Sequence, residues 1–160
     1  IGQALAKLAV GAGMEVVFSD MHDDDIDVAL EFFDGQSLSF TCKNVGLEGV
    51  LAQSDFISLH VPGGDLIGAA EIAKMKDGVF LLNAARGGVI NEEALLDALE
   101  SGKVAGAGLD VFKNEPTPAV KVLMNGKVSL TPHIGAATGE AQDRIGTELA
   151  AHIDSLAASL

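Results

Sequence analysis

The chain has neither a second cysteine nor a long apolar run, the features that mark disulfide-linked and membrane-spanning proteins. Its single cysteine, Cys42, excludes an internal disulfide, fits a reducing compartment and is expected to be a buried thiol. No apolar run approaches the ~20 residues that a membrane-spanning helix needs, and no basic leader with a cleavage site is present. These absences predict a cytoplasmic protein without a membrane partner.

Positive charge is also scarce, because 10 Lys and Arg side chains face 23 Asp and Glu and the formal net charge is −13. Nucleic acid is therefore a poor partner, since a phosphate backbone needs clusters of Lys and Arg. The acidic run 23–25 lacks the spaced ligands and the glycine of a calcium loop, so we expect a solvated loop and no metal. One of the two arginines, Arg86, lies between a strand pattern and a glycine pair, an unusual position for a merely solubilising charge.

A length of 160 residues and a 48% hydrophobic composition suit one domain with its own core. Helical and strand patterns alternate, and the strands are apolar runs, which favours an α/β fold with a parallel sheet and helices on both faces. The predicted strands cover 15–19, 38–42, 56–59, 79–82, 104–111 and 128–130. The predicted helices cover 1–8, 28–33, 47–51, 69–75, a segment between the N-cap Asn91 and Gly102, and a terminal helix with the apolar stripe Ile145, Leu149, Ile153, Leu156 and Leu160.

Gly2 and Asp20 match two parts of a dinucleotide-binding pattern. In that pattern a Gly-rich turn opens a helix, and an acid ~20 residues further on holds the ribose hydroxyls. Gly2 fits the last glycine and Asp20 the acid, with simple helix packing as the alternative role for Gly2. The first strand and the two earlier glycines are missing, so we expect a fragment of a longer chain that lacks a central strand.

Three chemically complementary side chains follow predicted strands. Arg86, Glu115 and His133 each lie in a short Gly- or Pro-marked segment beside an apolar run. Open α/β sheets keep their chemistry at the strand ends. A guanidinium for an anion, an imidazole for a proton and a carboxylate to orient that imidazole suit redox chemistry on a small hydroxy acid.

Long segments of the chain resemble the D-isomer-specific 2-hydroxyacid dehydrogenases, with the phosphoglycerate dehydrogenases as the most similar group. The resemblance runs from position 1 to about position 153 and covers only the family's nucleotide-binding domain. It implies a Rossmann-type doubly wound parallel sheet over 1–160, with the first strand, the start of the Gly-rich loop and the substrate domain absent. The matching segments are IGQALAKLAVGAGMEVVFSD, SDFISLHVP, MKDGVFLLNAARGGVINEEALLDALESGKVAGAGLDVFKNEP and LTPHIGAAT.

The resemblance implies catalytic roles for the same three side chains. Arg86 would grip the substrate carboxylate and polarise its 2-oxygen, because a guanidinium pairs both carboxylate oxygens at once. His133 would be the general acid/base for the 2-hydroxyl proton, and Glu115 would orient its ring. The alternatives are a surface ion pair for Arg86, a structural loop histidine for His133 and a turn acid for Glu115.

The resemblance also implies an NAD site. Asp110 would bind the nicotinamide carboxamide, with a strand-end cap as its alternative role, and His60 and Pro62 would line the cofactor unless they form only a structural turn. We expect NAD rather than NADP, because the carboxylate of Asp20 repels a 2′-phosphate and no arginine follows it. The loop after Pro62 is shorter than usual, and positions 21–40 match the family poorly. The implied cofactor residues are Gly2, Asp20, His60, Pro62, Ala84, Asp110 and Gly135.

Three functions are compatible with these observations. The first is an NAD-dependent oxidoreductase acting on a small D-2-hydroxy or 2-keto acid, as a homodimer by resemblance. The second is an NAD-binding, corepressor-like interaction module on the same fold. The third applies to the 160 residues alone, which we expect to be inactive without the opposing substrate wall.

Overall fold

The computed structural model describes residues 1–158, in which helices and strands alternate as the sequence predicts. The strands are β1 Val17–Phe18, β2 Ile26–Glu31, β3 Ser37–Asn44, β4 Phe56–Leu59, β5 Val79–Asn83, β6 Val104–Leu109 and β7 Val128–Leu130. The helices are α1 Gly2–Gly11, α2 Gly46–Gln53, α3 Ala69–Lys74, α4 Glu92–Ser101, α5 Val120–Leu123 and α6 Gly139–Ala158. None of these helices is long and apolar enough to cross a membrane.

A four-stranded parallel sheet in the order β4-β5-β6-β7 forms the centre of the fold. Helices pack on one of its faces, and the alternating burial along β5 shows which side chains they cover. Val79 and Leu81 are buried there, against Leu95 and Leu99 of α4. The α/β class and the parallel sheet are therefore confirmed.

The ends of α4 follow local capping chemistry. The side-chain oxygen of Asn91 accepts a hydrogen bond from the backbone N–H of Ala94 at 3.0 Å. Gly102 ends the helix in the left-handed conformation, with φ of 82°. An N-cap amide and a C-terminal glycine of this kind are predictable from sequence, and both predictions are confirmed.

The second sheet corrects one prediction, because 28–33 is not a helix. Within this sheet, ordered β1-β3-β2, β2 runs antiparallel to β3, and the pair forms a hairpin. The turn is closed by Phe32, whose N–H donates to the carbonyl oxygen of Gln36, and by Gly35 at φ of 83°. The cross-strand hydrogen bond from Thr41 to Asp27 adds a contact that a helix would lack. Cys42 lies buried in β3, as predicted, and burial raises the pKa of its thiol.

The opposite face of the parallel sheet is open among the described residues, so the expected helices on both faces are found on one face only. Phe56 and Phe80 stack there with ring centroids 5.1 Å apart, and both are exposed. The predicted stripe on α6 is exposed as well, at Ile145, Leu149 and Ile153. Leu160, the last predicted member of that stripe, lies outside the described residues.

Candidate active site

His133 and Glu115 come together beyond the carboxyl ends of β7 and β6. The ring Nδ1 of His133 lies 2.6 Å from Oε2 of Glu115. The other carboxylate oxygen, Oε1, accepts the backbone N–H of Phe112 at 2.9 Å, so the carboxylate is held from two sides. Hydrogen bonds from the His133 ring and from the Phe112 N–H lower the pKa of Glu115. The pair that the sequence predicted is present as a hydrogen-bonded unit.

Hydrogen bonds to Asp110 hold the loop that carries His133. It follows β6, is 7% exposed, and its Oδ1 accepts both the Thr131 hydroxyl at 2.6 Å and the Ile134 N–H at 2.9 Å. Its Oδ2 accepts the Gly135 N–H at 2.9 Å. Burial acts to raise the pKa of Asp110, but these hydrogen bonds outweigh it and the pKa is lowered. The carboxylate thus binds the Thr131 side chain before His133 and two backbone N–H groups after it, and His133 itself adopts a φ of 55°.

Arg86 lies in the loop after β5 and is exposed. Its Nη1 donates to the carbonyl oxygen of Ala85 at 2.6 Å. Within residues 1–158 its guanidinium makes no ion pair, which disfavours the surface ion pair considered above. The structure places Arg86 at the same edge of the sheet as Asp110 but not in hydrogen-bond contact with His133 or Glu115.

Two residues at this end of β5, one in the strand and one in the loop, were not singled out from the sequence as parts of the site. Asn83, the last residue of β5, is 3% exposed and bonds to the loop through its side-chain amide. A Cβ atom added to Gly87 would lie 1.8 Å from the carbonyl oxygen of Phe112. A polar residue at the end of an otherwise apolar strand was the available signal for Asn83. No local signal identifies the partner of Gly87.

The start of α1 fits the phosphate part of a dinucleotide. α1 starts at Gly2 without an acid in its first turn or a side-chain cap, which leaves N–H groups for an anion. A Cβ on Gly2 would lie 3.4 Å from the ring of His60. The Nε2 of His60 is 3.0 Å from the hydroxyl of Ser58, and partial burial lowers the pKa of His60.

The remaining predicted cofactor residues lie at strand ends and in loops. Asp20 follows β1 and is exposed, and its Oδ1 accepts the N–H of His22 at 3.2 Å. Pro62 and Ala84 are exposed in the loops after β4 and β5. Gly135 packs on Asp110, since an added Cβ would lie 3.0 Å from Oδ2 of that residue.

Comparison with known proteins shows to which family this chain belongs. The model of the D-isomer specific 2-hydroxyacid dehydrogenase NAD binding domain matches residues 1–135. This chain belongs to that family.

Several relatives illustrate the match. The hydroxypyruvate reductase of Thermotoga maritima is 46% identical over 156 residues, which cover 93% of this chain and 47% of that protein. The D-3-phosphoglycerate dehydrogenase of Mycobacterium tuberculosis is 46% identical over 154 residues, covering 94% of this chain and 28% of that protein. The Aquifex aeolicus D-lactate dehydrogenase, solved with NAD and lactic acid, is similar at a TM-score of 0.75 and 31% identity, over 99% of this chain and 51% of that one.

The chain therefore spans about half or less of the length of the relatives it matches. The expected Rossmann-type, NAD-binding dehydrogenase domain is confirmed. The resemblance to phosphoglycerate dehydrogenases in particular is not distinguished by these matches, because a hydroxypyruvate reductase reaches the same identity. These relatives are named as enzymes, which does not favour the corepressor-like alternative.

Proposed function

We propose that the protein containing this chain is an oxidoreductase that transfers hydride between NAD and a small D-2-hydroxy acid. The observation that supports it most directly is the 2.6 Å hydrogen bond between His133 and Glu115. When bound, the nicotinamide ring supplies the hydride acceptor or donor. The chain's own residues must then move the hydroxyl proton and hold the acid.

His133 is suited to the proton transfer. Because Nδ1 is engaged by Glu115, Nε2 is the ring nitrogen left to exchange a proton with the substrate oxygen. The side chain of His133 is 49% exposed, so a substrate oxygen can reach it. Glu115 fixes the ring orientation and stabilises the imidazolium that forms when the 2-hydroxyl loses its proton.

Arg86 is suited to hold the substrate carboxylate. A guanidinium carries five N–H donors, and the contact with Ala85 uses Nη1 only. The donors left over, on an exposed side chain without an ion pair in the described part of the chain, can pair a carboxylate bidentately.

The cofactor assignments belong to the same proposal. The N–H groups at the start of α1, around Gly2, would face the pyrophosphate, and the exposed carboxylate of Asp20 would accept hydrogen bonds from the ribose. Asp110 keeps lone pairs beyond its three loop donors and would also accept a carboxamide N–H. His60, Pro62, Ala84 and Gly135 would line the cofactor.

A homodimer and a small 2-hydroxy or 2-keto acid as substrate complete the proposal. The exposed apolar side chains of Phe56 and Phe80, with those on α6, support burial of these faces against further protein. Light scattering of the purified protein would give its mass in solution. A monomeric mass would contradict the dimer without affecting the reaction.

The test measures NADH absorbance with hydroxypyruvate, glyoxylate, pyruvate and phosphohydroxypyruvate, using the protein that contains the chain. His133→Ala should lower kcat by about 10²- to 10⁴-fold, the usual contribution of a general acid. Arg86→Ala should mainly raise KM for the keto acid. The matched controls are His152→Ala and Arg144→Ala on the exposed helix α6, which should leave both constants near wild type. Unchanged rates in the first two variants would refute the assignment.

A further inference from the structure

Asn83 is one of two buried polar residues within residues 1–158, together with Asp110. It occupies the last position of β5, directly after an apolar run. A buried amide destabilises a fold unless its donors and acceptor are hydrogen-bonded. The partners of this amide therefore show what the residue does at the strand end.

Both ends of the Asn83 side chain bind the loop that carries Arg86. Its Oδ1 accepts the N–H of Ala85 at 3.1 Å, and its Nδ2 donates to the carbonyl oxygen of Arg86 at 2.9 Å. These two bonds fix the peptide group before Ala85 and the peptide group after Arg86, and so hold both ends of this two-residue segment. They therefore restrict the backbone conformation at Arg86, from which the guanidinium extends.

The main chain of Asn83 connects the same loop to the proton-transfer side of the site. Its carbonyl oxygen accepts the N–H of Asp110 at 3.0 Å. The Asp110 carboxylate in turn accepts the N–H groups of Ile134 and Gly135, which follow His133. A continuous series of hydrogen bonds thus runs from Arg86 through Asn83 to the backbone that carries the imidazole.

We propose that Asn83 is a positioning residue for Arg86, which sets the guanidinium relative to His133 and thereby the affinity for the substrate carboxylate. This proposal rests on the proposed function. It assigns to Asn83 no contact with substrate or cofactor. Its effect should appear mainly in substrate binding, because the side-chain amide bonds to Ala85 and Arg86 and makes no hydrogen bond to Ala84, the residue of this loop assigned to the cofactor.

The experiment compares two chemically identical substitutions, Asn83→Asp and Asn91→Asp, in the protein that contains the chain. Asn91→Asp is the matched control, because its side-chain oxygen caps α4 and aspartate caps helices equally well. At mildly alkaline pH, Asn83→Asp keeps the acceptor for Ala85 but loses the donor to Arg86. We expect KM for hydroxypyruvate to rise about tenfold, the effect of one lost hydrogen bond, with NADH affinity within about twofold of wild type.

Acid pH gives a signature that a general structural role would not produce. We expect the pKa of a carboxyl introduced at position 83 to be raised, because the site is buried and one carboxylate oxygen would face the carbonyl oxygen of Arg86, with the Ala85 N–H as the one opposing donor. Lower pH then favours the protonated form. The new O–H then replaces the lost donor to the Arg86 carbonyl, and KM relative to wild type should recover. Asn83→Ser has a hydroxyl too short for both contacts, so its raised KM should not recover.

Three outcomes would overturn the proposal. One is an unchanged KM for hydroxypyruvate in both position-83 variants. The second is an equal loss of NADH and hydroxypyruvate affinity with no recovery in acid, which would indicate general disruption. The third is unchanged hydrogen–deuterium exchange at the Ala85 amide in Asn83→Ser, where faster exchange than in wild type and Asn91→Asp is expected. Exchange does not depend on turnover, so it tests the loop even if wild-type protein reduces no keto acid and the proposed function fails.

Discussion

The Nδ1 atom of His133 lies 2.6 Å from Oε2 of Glu115, although one residue follows β7 and the other follows β6. Their meeting depends on the parallel pairing of these two strands, which brings both carboxyl ends to one edge. A second bond, from the Phe112 N–H to Oε1, prevents the carboxylate from turning away. The geometry therefore makes Glu115 a fixed partner for the imidazole.

Glu115→Gln removes the charge of this partner and keeps its size and shape almost unchanged. The amide oxygen can still accept the Phe112 N–H, but the amide NH₂ would face Nδ1 and select the wrong tautomer. We expect kcat for keto-acid reduction to fall by about 10²-fold with little change in NADH affinity. Stopped-flow NADH absorbance and fluorescence titration measure the two quantities.

Glu92→Gln is the matched control for that variant. Its Oε1 accepts the N–H of Lys113 at 2.7 Å, so it is a neighbouring carboxylate that also binds backbone. A similar loss of kcat in both variants would show that carboxylate–backbone bonds, and not the imidazole contact, matter for turnover.

The lowered pKa of Asp110 predicts how the free energy of unfolding depends on pH. Its folded pKa is below the ordinary value of ~4, so its stabilisation is present above that value and is lost as the pH falls through the folded pKa. Asp110→Asn should lower the free energy of unfolding near neutral pH by about 2 kcal/mol, because one loop donor loses its acceptor. The difference in the free energy of unfolding between Asp110→Asn and wild type should become smaller as the pH falls.

Urea denaturation at a series of pH values, followed by circular dichroism, measures this dependence. The control is Asp143→Asn, which makes the same chemical change on the exposed surface of α6. A gap between wild type and Asp110→Asn that stays constant from neutral to strongly acid pH would contradict the role given to the carboxylate.

Asp20 should determine the choice between NADH and NADPH. Asp20→Asn keeps an acceptor for the His22 N–H but removes the charge that repels a 2′-phosphate. We expect NADPH to bind about tenfold more tightly than to wild type, and NADH more weakly, since a single charge contact changes affinity by ~1–2 kcal/mol. Asp24→Asn, which removes a charge from the same exposed acidic segment, is the control. Equal NADPH gains in both variants would indicate net charge rather than a specific contact.

Sequence patterns predicted the elements whose signals are local. The caps of α4 at Asn91 and Gly102 and the apolar runs of β4 and β5 needed no knowledge of distant partners. The hairpin formed by β2 and β3 could not be predicted in this way. Its apolar positions fit helical spacing equally well, and pairing with β3 decides between the two.

The residues of the candidate site show the same distinction between local signals and distant partners. His133 and Glu115 were predictable because imidazole and carboxylate each carry chemistry beside a strand end. Asn83 was missed because its partners are backbone groups of Ala85 and Arg86, which no side-chain pattern encodes. Gly87 was missed because the need for glycine comes from Phe112, which lies in the loop after β6.

Gly87→Ala should destabilise the fold through that contact. An added Cβ would lie 1.8 Å from the carbonyl oxygen of Phe112 and 2.4 Å from its carbonyl carbon, both of them backbone atoms that cannot rotate away. The Arg86 loop and the Glu115 loop would have to separate. We expect a loss of about 3 kcal/mol or more in the free energy of unfolding, at the upper end of overpacking effects.

Gly126→Ala is the matched control, because a Cβ at that position would meet no atom within 4 Å. It should change stability only slightly, since it also restricts the unfolded chain. Thermal unfolding of the two variants beside wild type gives the comparison directly. If Gly87→Ala has the same melting temperature as Gly126→Ala, the loop that carries Arg86 is not held against Phe112 in solution, and the close approach of these two loops is contradicted.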